Sequence, residues 1–290
     1  VHNQKCREAQ GEGQRLCNEL LVHKKQGDDA QRDIESKVQI AHADAQLILN
    51  HGGNAVDARR RECIVRNENF KVGCTGQTTY VYDKDGNELA RFKKDILYGY
   101  LPMFKPNSNI LVVKSTEGRL AIYNLDTLTL VKKVRSVPTA VAHAQDHNMC
   151  FSKDGKLFYN IESHIDCYTR LTVYDAETFE PIKRLFEGTE DEQILDHVEC
   201  DKENGNIYIL GFMRGSDREF HRHFVAQLEN DILINKTYIS ESEYEFLYGY
   251  KELENYGFTK KKKEWCSLKY DGYDLTDIEK KKIRLADYIK

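Results

Sequence analysis

The sequence predicts a mainly β chain made of consecutive four-stranded units behind a short helical segment. Three observations predict it. Beyond residue 63, short β-rich runs alternate with turns of Asp, Asn and Gly; the same layout of runs and turns recurs along the chain; and two sequence marks repeat at a spacing near fifty residues.

Composition sets the outer limits. The chain has 290 residues, 43 Lys plus Arg against 47 Asp plus Glu, 40% hydrophobic residues, 18 Gly and only 4 Pro, the make-up of a globular protein with a large core. A net charge of −4 gives no general attraction to nucleic acid or to an anionic membrane. No apolar run approaches the roughly 18–20 residues of a membrane helix. Eight Cys are too sparse for a disulfide-stapled scaffold, and none falls in a Cys-x-x-Cys arrangement. Reduced thiols and a cytoplasmic location are the expectation.

Residues 1–63 differ from the rest. No aromatic residue precedes Phe70, and Ile34, Val38, Ala41, Ala45 and Ile48 fall at spacings of four, three, four and three, a helical seam. Asp28 and Asp29 suit its N-terminus and Gly52–Gly53 its end. With Leu16, Leu20 and Leu21 as partner, the segment reads as an α-helical hairpin or short coiled coil, a route to self-association. Ten charges of each sign make nucleic acid a poor partner for it.

From residue 64 to 290 the chain reads as one β domain. TTYVYD (78–83) leads through Asp85–Gly86–Asn87 into LARF. NILVVK (109–114), LAIYN and LVKKV follow with turns between them, then KLFYNI (156–161), LTVYD and PIKRLF, then IYILGF (207–212), HFVAQL and NKTYI. Runs of four strands joined by hairpin turns, with no helix between successive sets, follow the logic of β-propeller blades. The units KLFYNI…RLTVYDAETFEPIKRL and NILVVKSTEGRLAIYNLDTLTLVKKV resemble the repeats of YVTN-type and tryptophan-aspartate-type propellers, across about residues 64–239. No blade carries the Trp-Asp dipeptide; the single Trp265 follows Glu264.

Asp146–His147 and Asp196–His197 are each followed by Cys three positions after the Asp-His pair, at Cys150 and Cys200, fifty residues apart. Leu97–Tyr98–Gly99–Tyr100 recurs identically as Leu247–Tyr248–Gly249–Tyr250. Tyr98, Asp146, Asp196 and Tyr248, spaced by 48, 50 and 52, are expected to begin blades. The count is a β-propeller of about five blades, or six if 244–290 folds as two. A composite terminal blade, in which 283–289 completes the N-terminal fragment, is expected to close the ring, because an open sheet edge invites aggregation.

Ligands of propellers gather at the central channel, where the loops into first strands converge. Asp146, His147, Asp196 and His197 are therefore the catalytic candidates, with His147 and His197 as metal candidates. Tyr98, Tyr100, Tyr248 and Tyr250 are the binding candidates, an aromatic rim for a partner surface. Lysine runs at 260–263 and 280–282 read as solvated loops. No P-loop, dinucleotide fingerprint, nucleophile elbow or zinc-protease helix is present.

The expected function is a non-enzymatic propeller scaffold recognising a protein or other macromolecular partner, with no cofactor. The alternatives are a propeller-type hydrolase or lactonase with a divalent metal at the channel mouth, and a small-ligand sensor or toxin-neutralising partner.

Overall fold

The computed structural model describes residues 65–75, 78–96, 99–115, 118–135, 148–163, 169–187, 193–214, 221–256 and 282–290. All lie within one compact unit, Arg59–Lys290. The expected helical hairpin over 1–63 falls outside the described residues, as do Tyr98, Asp146 and His147.

Four antiparallel four-stranded sheets follow one another, each a meander in chain order. The first contains β1 (Val65–Arg66), β2 (Phe70–Thr75), β3 (Thr78–Asp83) and β4 (Glu88–Lys93); the second β5 (Gly99–Phe104), β6 (Ile110–Ser115), β7 (Arg119–Asn124) and β8 (Thr129–Arg135). The third contains β9 (Met149–Phe151), β10 (Leu157–Ser163), β11 (Thr169–Asp175) and β12 (Pro181–Leu185); the fourth β13 (Gln193–Cys200), β14 (Ile207–Arg214), β15 (His221–Glu229) and β16 (Ile232–Tyr238). A helix, α1 (Glu241–Tyr256), and a 3-10 helix (Leu285–Tyr288) follow. The chain is mainly β, with four propeller-type blades among the described residues.

Alternation along each middle strand builds the layers between blades. On β6, Leu111 and Val113 pack with Val72, Cys74 and Val81 of the first blade, while Val112 packs with Met149, Phe151 and Phe158 of the third. On β10, Phe158 faces the second blade, and Tyr159 and Ile161 join Leu195, Val198 and Phe224 of the fourth. Both faces of these strands are covered, which is why ILVV is continuously apolar and LFYNI is interrupted only by the buried Asn160.

The Asp or Asn that ends the third strand of the first three blades has a local role, whereas β15 ends in Glu229. Asp83 Oδ1 accepts from the amides of Asp85 and Asn87 at 2.9 and 2.8 Å, and Asp175 Oδ1 from Glu177 and Thr178 at 3.0 and 2.7 Å. Asn124 Oδ1 takes the Asp126 amide at 2.9 Å. These side chains replace backbone partners that a tight turn leaves unmet. In the second and third blades the fourth turn residue, Leu128 or Phe179, adopts φ of 52° and 53°. That strain is offset by burial, since Phe179 packs among Phe151 and Phe158.

The outermost strands carry β-bulges in equivalent places. The register shifts opposite Val81/Tyr82, Ile122/Tyr123 and Val173/Tyr174 leave Leu89, Val131 and Ile182 unpaired and exposed. A bulge on an edge strand interrupts the row of amides that another chain would pair with. The lysines after two of these residues latch blade to blade: Lys132 Nζ donates to Thr178 O at 2.7 Å, and Lys183 pairs with Asp231.

Three expectations are corrected. Blade number among the described residues is four, not five or six. The first blade obtains its own first strand, Val65–Arg66, by pairing with Lys71 and Val72. Residues 283–289 complete no sheet: Ile283 and Leu285 bury against Tyr208, Leu210 and Val225 of the fourth blade together with Phe246, Leu247 and Tyr250 of α1. The two identical LYGY copies thus adopt different structures, since Gly99 and Tyr100 open β5 whereas Leu247–Tyr250 lies within α1. A capping box starts that helix, with Glu243 accepting from the Ser240 amide at 2.8 Å and Ser240 Oγ accepting from the Glu243 amide at 3.3 Å.

Candidate functional site

The first strand of the fourth blade is bent by a β-bulge. Leu195 pairs with Gly211 and His197 with Leu210, so Asp196 is the extra residue between them. Gly211 permits this, because a Cβ there would stand 2.3 Å from the Ile194 carbonyl oxygen. The bulge turns Asp196 toward α1, and Tyr244 donates its hydroxyl to Asp196 Oδ2 at 2.5 Å.

Around that bond the blade and the helix build an aromatic cluster. The Tyr244 ring stacks on His223 with centroids 4.0 Å apart and planes 23° from parallel. Phe212 stands edge-on to both rings, at 6.2 and 6.0 Å, and Tyr248 stacks beside Tyr244 at 6.2 Å. All five side chains are half-buried. Burial pushes the Asp196 carboxyl up to about 7, against the opposing pull of the Tyr244 hydroxyl. The Tyr244 hydroxyl is raised far beyond the ordinary tyrosine range, chiefly by burial and then by the Asp196 charge. A carboxyl that exchanges its proton near neutrality, next to stacked aromatic faces, can accept a hydrogen bond, hold a cationic group or transfer a proton.

His197 enters different surroundings. It is buried, with Nε2 3.2 Å from Asn148 Nδ2 of the third blade. Burial, then the positive charge of Lys251, holds its imidazole well below the usual histidine range. Adjacent in sequence, Asp196 and His197 thus meet different partners and do not converge on one ion. Among the described residues, no group of three or more His, Cys, Asp or Glu side chains is placed to hold a metal.

The two neighbours oppose each other in pH dependence. The folded pKa of Asp196 lies above its usual value, so its contribution to stability is present below about pH 4 and lost as pH rises toward about 7. His197, depressed in the fold, contributes stability that is present above about pH 6.5 and lost on acidification. Between about pH 4 and 6.5 the slopes partly cancel. Asp196→Asn is expected to unmask the histidine, steepening the loss of stability on acidification from pH 6.5 by about 2 kcal/mol, discounted for the solvent the carboxyl still sees. Urea unfolding across that range measures it; parallel curves for the two proteins would refute the assignment.

Of the tyrosine candidates, Tyr248 belongs to the cluster, and Tyr250 is 2% exposed beside Phe246, a core residue and not part of a binding rim. Tyr100 lies on β5 of the second blade, whereas α1 packs on the fourth. Sequence reasoning missed Tyr244, His223 and Phe212. The Ser240–Glu243 capping box would have placed Tyr244 and Tyr248 one turn apart on a helix. A crevice between the first two blades is lined by Thr78, Thr79, Phe92, Asp95, Ile96, Gly99 and Tyr123, with the Tyr123 hydroxyl 3.3 Å from Asp95 Oδ2.

No family model matches the chain, and no curated protein matches it. Among solved structures it is similar to the dihydro-heme d1 dehydrogenase NirN in complex with DHE, at 15% identity and a TM-score of 0.42, over 60% of this chain. It spans 44% of the length of that protein. Similarity at that level assigns neither ligand nor activity. The sheets themselves define the class: a mainly β chain of propeller-type blades.

Proposed function

We propose that the chain is a non-enzymatic recognition scaffold of the propeller type, binding a protein or other macromolecular partner through the aromatic edge where α1 meets the fourth blade. The observation that carries this reading is the half-exposed ladder of Tyr248, Tyr244 and His223 beside Asp196. Tyrosine faces with a hydrogen-bonding carboxyl are the composition of interface hot spots. Arg222 stacks 3.9 Å over the exposed Tyr238 ring on the outer strands of the same blade. The repeat type we infer is YVTN-like, supported by the Asp or Asn that closes the third strand of the first three blades. In this reading the N-terminal helices serve as an accessory contact, the protein is cytoplasmic and no cofactor takes part.

Affinity purification from native lysate tests it, with wild type, Tyr248→Ala and Asp196→Asn as baits. A stoichiometric partner retained by wild type and lost by both variants is the expected result. Ester or lactone hydrolysis by wild type, abolished in Asp196→Asn and unaccompanied by any partner, would favour the hydrolase instead.

A further inference from the structure

The third and fourth blades run in register at an offset of fifty residues. Asn148 clamps the facing strand, its Nδ2 donating to Val198 O at 3.0 Å while its Oδ1 accepts from the Val198 amide at 2.6 Å. Farther along, Lys153 Nζ donates to Glu203 O at 2.9 Å. Between these two staples lie Cys150 and Cys200, again fifty apart, on the first strands of adjacent blades. Both thiols are free and both belong to the same apolar layer between the blades. The Cys150 thiol is in hydrogen-bonding contact with the Cys200 backbone. Cys200 Sγ is turned toward the carbonyls of Asp201 and Gly205, at 3.9 and 3.7 Å, weak contacts that a change of χ1 rotamer releases.

We propose that Cys150 and Cys200 are a thiol–disulfide exchange site whose oxidation ties the third blade to the fourth. Cys200 is half-buried and Cys150 fully buried, which sets the order of events. The Cys200 thiolate attacks one sulfur of a small-molecule disulfide. That S–S bond breaks, a mixed disulfide forms on Cys200, and the first leaving thiolate takes up the proton Cys200 lost. Cys150, deprotonated, then attacks Cys200 Sγ. The mixed bond breaks and the second thiol leaves with the Cys150 proton. Two electrons pass to the small disulfide, which becomes two thiols, and the protein gains one S–S bond. Burial raises both thiols above their usual range, so exchange is expected to quicken steeply between pH 7 and 9.

Oxidised glutathione is the probe, used on the full wild-type chain under native conditions. Trypsin gives Ser136–Lys153 and Leu185–Lys202, each with a single cysteine, so the bridge appears as one linked mass in a non-reduced digest. The expected result is that this mass dominates, disappears with dithiothreitol, and accompanies a rise in Tm of about 5 °C. Glutathione retained on Cys200, a bridge from either residue to another cysteine, or no reaction at either thiol overturns the proposal. None of these outcomes bears on the partner-binding edge, whose Asp196 lies four residues before Cys200 on β13.

Discussion

Glu162→Leu is expected to destabilise the protein by about 4 kcal/mol, the cost of breaking a buried ion pair by removing one partner. Glu162 is fully buried on β10, and four donors converge on its two oxygens. Arg170 Nε reaches Oε2 at 2.8 Å, Thr172 Oγ1 the same oxygen at 2.8 Å, the Tyr174 hydroxyl Oε1 at 2.7 Å and Asn160 Nδ2 Oε1 at 3.2 Å. Removing the acceptor takes this partner from all four; Arg170, only 5% exposed, keeps Glu187 at 3.3 Å but loses the buried carboxylate that balances its charge. Lys114 of the second blade, also fully buried, donates to Ile161 O at 2.6 Å next to this cluster. The polar cluster therefore sits in the seam between two blades, and its loss is expected to loosen their packing. Adding Arg170→Leu to the variant is expected to recover about 1–2 kcal/mol by withdrawing the buried charge. Chemical denaturation of both singles and the double settles it; simple additivity would show that the pair is not coupled.

Legibility in the sequence followed the range of the interaction. Strands such as TTYVYD and LTVYD were legible because turn chemistry is local: Asp83 and Asp175 cap their own turns within four residues. The blade offset of fifty was legible in Cys150 and Cys200 and reappears as the hydrogen bonds at Asn148–Val198 and Lys153–Glu203. The identity of the two LYGY copies misled, because four residues do not fix a conformation. Context decided it: Pro102 and Met103 continue β5 after the first copy, whereas Ser240 and Glu243 start a helix ahead of the second. Asp196 was legible as a polar residue near the start of a blade, but its partner Tyr244 lies 48 residues on. Only the bulge, which rests on the close approach of Ile194 to Gly211, brings the two together. The Glu162–Arg170 pair is directly opposed across the β10–β11 hairpin, a relation that needs the strand register and not only the strands.

Lys251→Met is expected to cost about 3 kcal/mol and to open the C-terminal segment selectively. The lysine is 3% exposed on α1; its Nζ is 2.5 Å from Glu199 Oε2 and 2.6 Å from the Ile283 carbonyl. Glu199 in turn accepts the Leu285 amide through Oε1 at 2.6 Å. One cation therefore links blade, helix and C-terminal turn, and Ile283 and Leu285 can pack on Tyr208 and Leu210 only while that link holds the chain end in place. Methionine keeps the aliphatic stem but leaves Glu199 and a carbonyl partly buried without this donor. Hydrogen exchange at Leu285 and Ala286 is expected to accelerate more than at the β14 amides of Ile209 and Leu210, which belong to the blade itself. Because the Lys251 charge helps hold His197 below its usual range, the same variant is expected to raise the His197 titration by a smaller amount than full exposure would, burial being the larger cause. Uniform acceleration across blade and C-terminal segment would mean that the lysine stabilises the whole domain and not the cap, and an unmoved His197 titration would place its charge too far from the imidazole to matter.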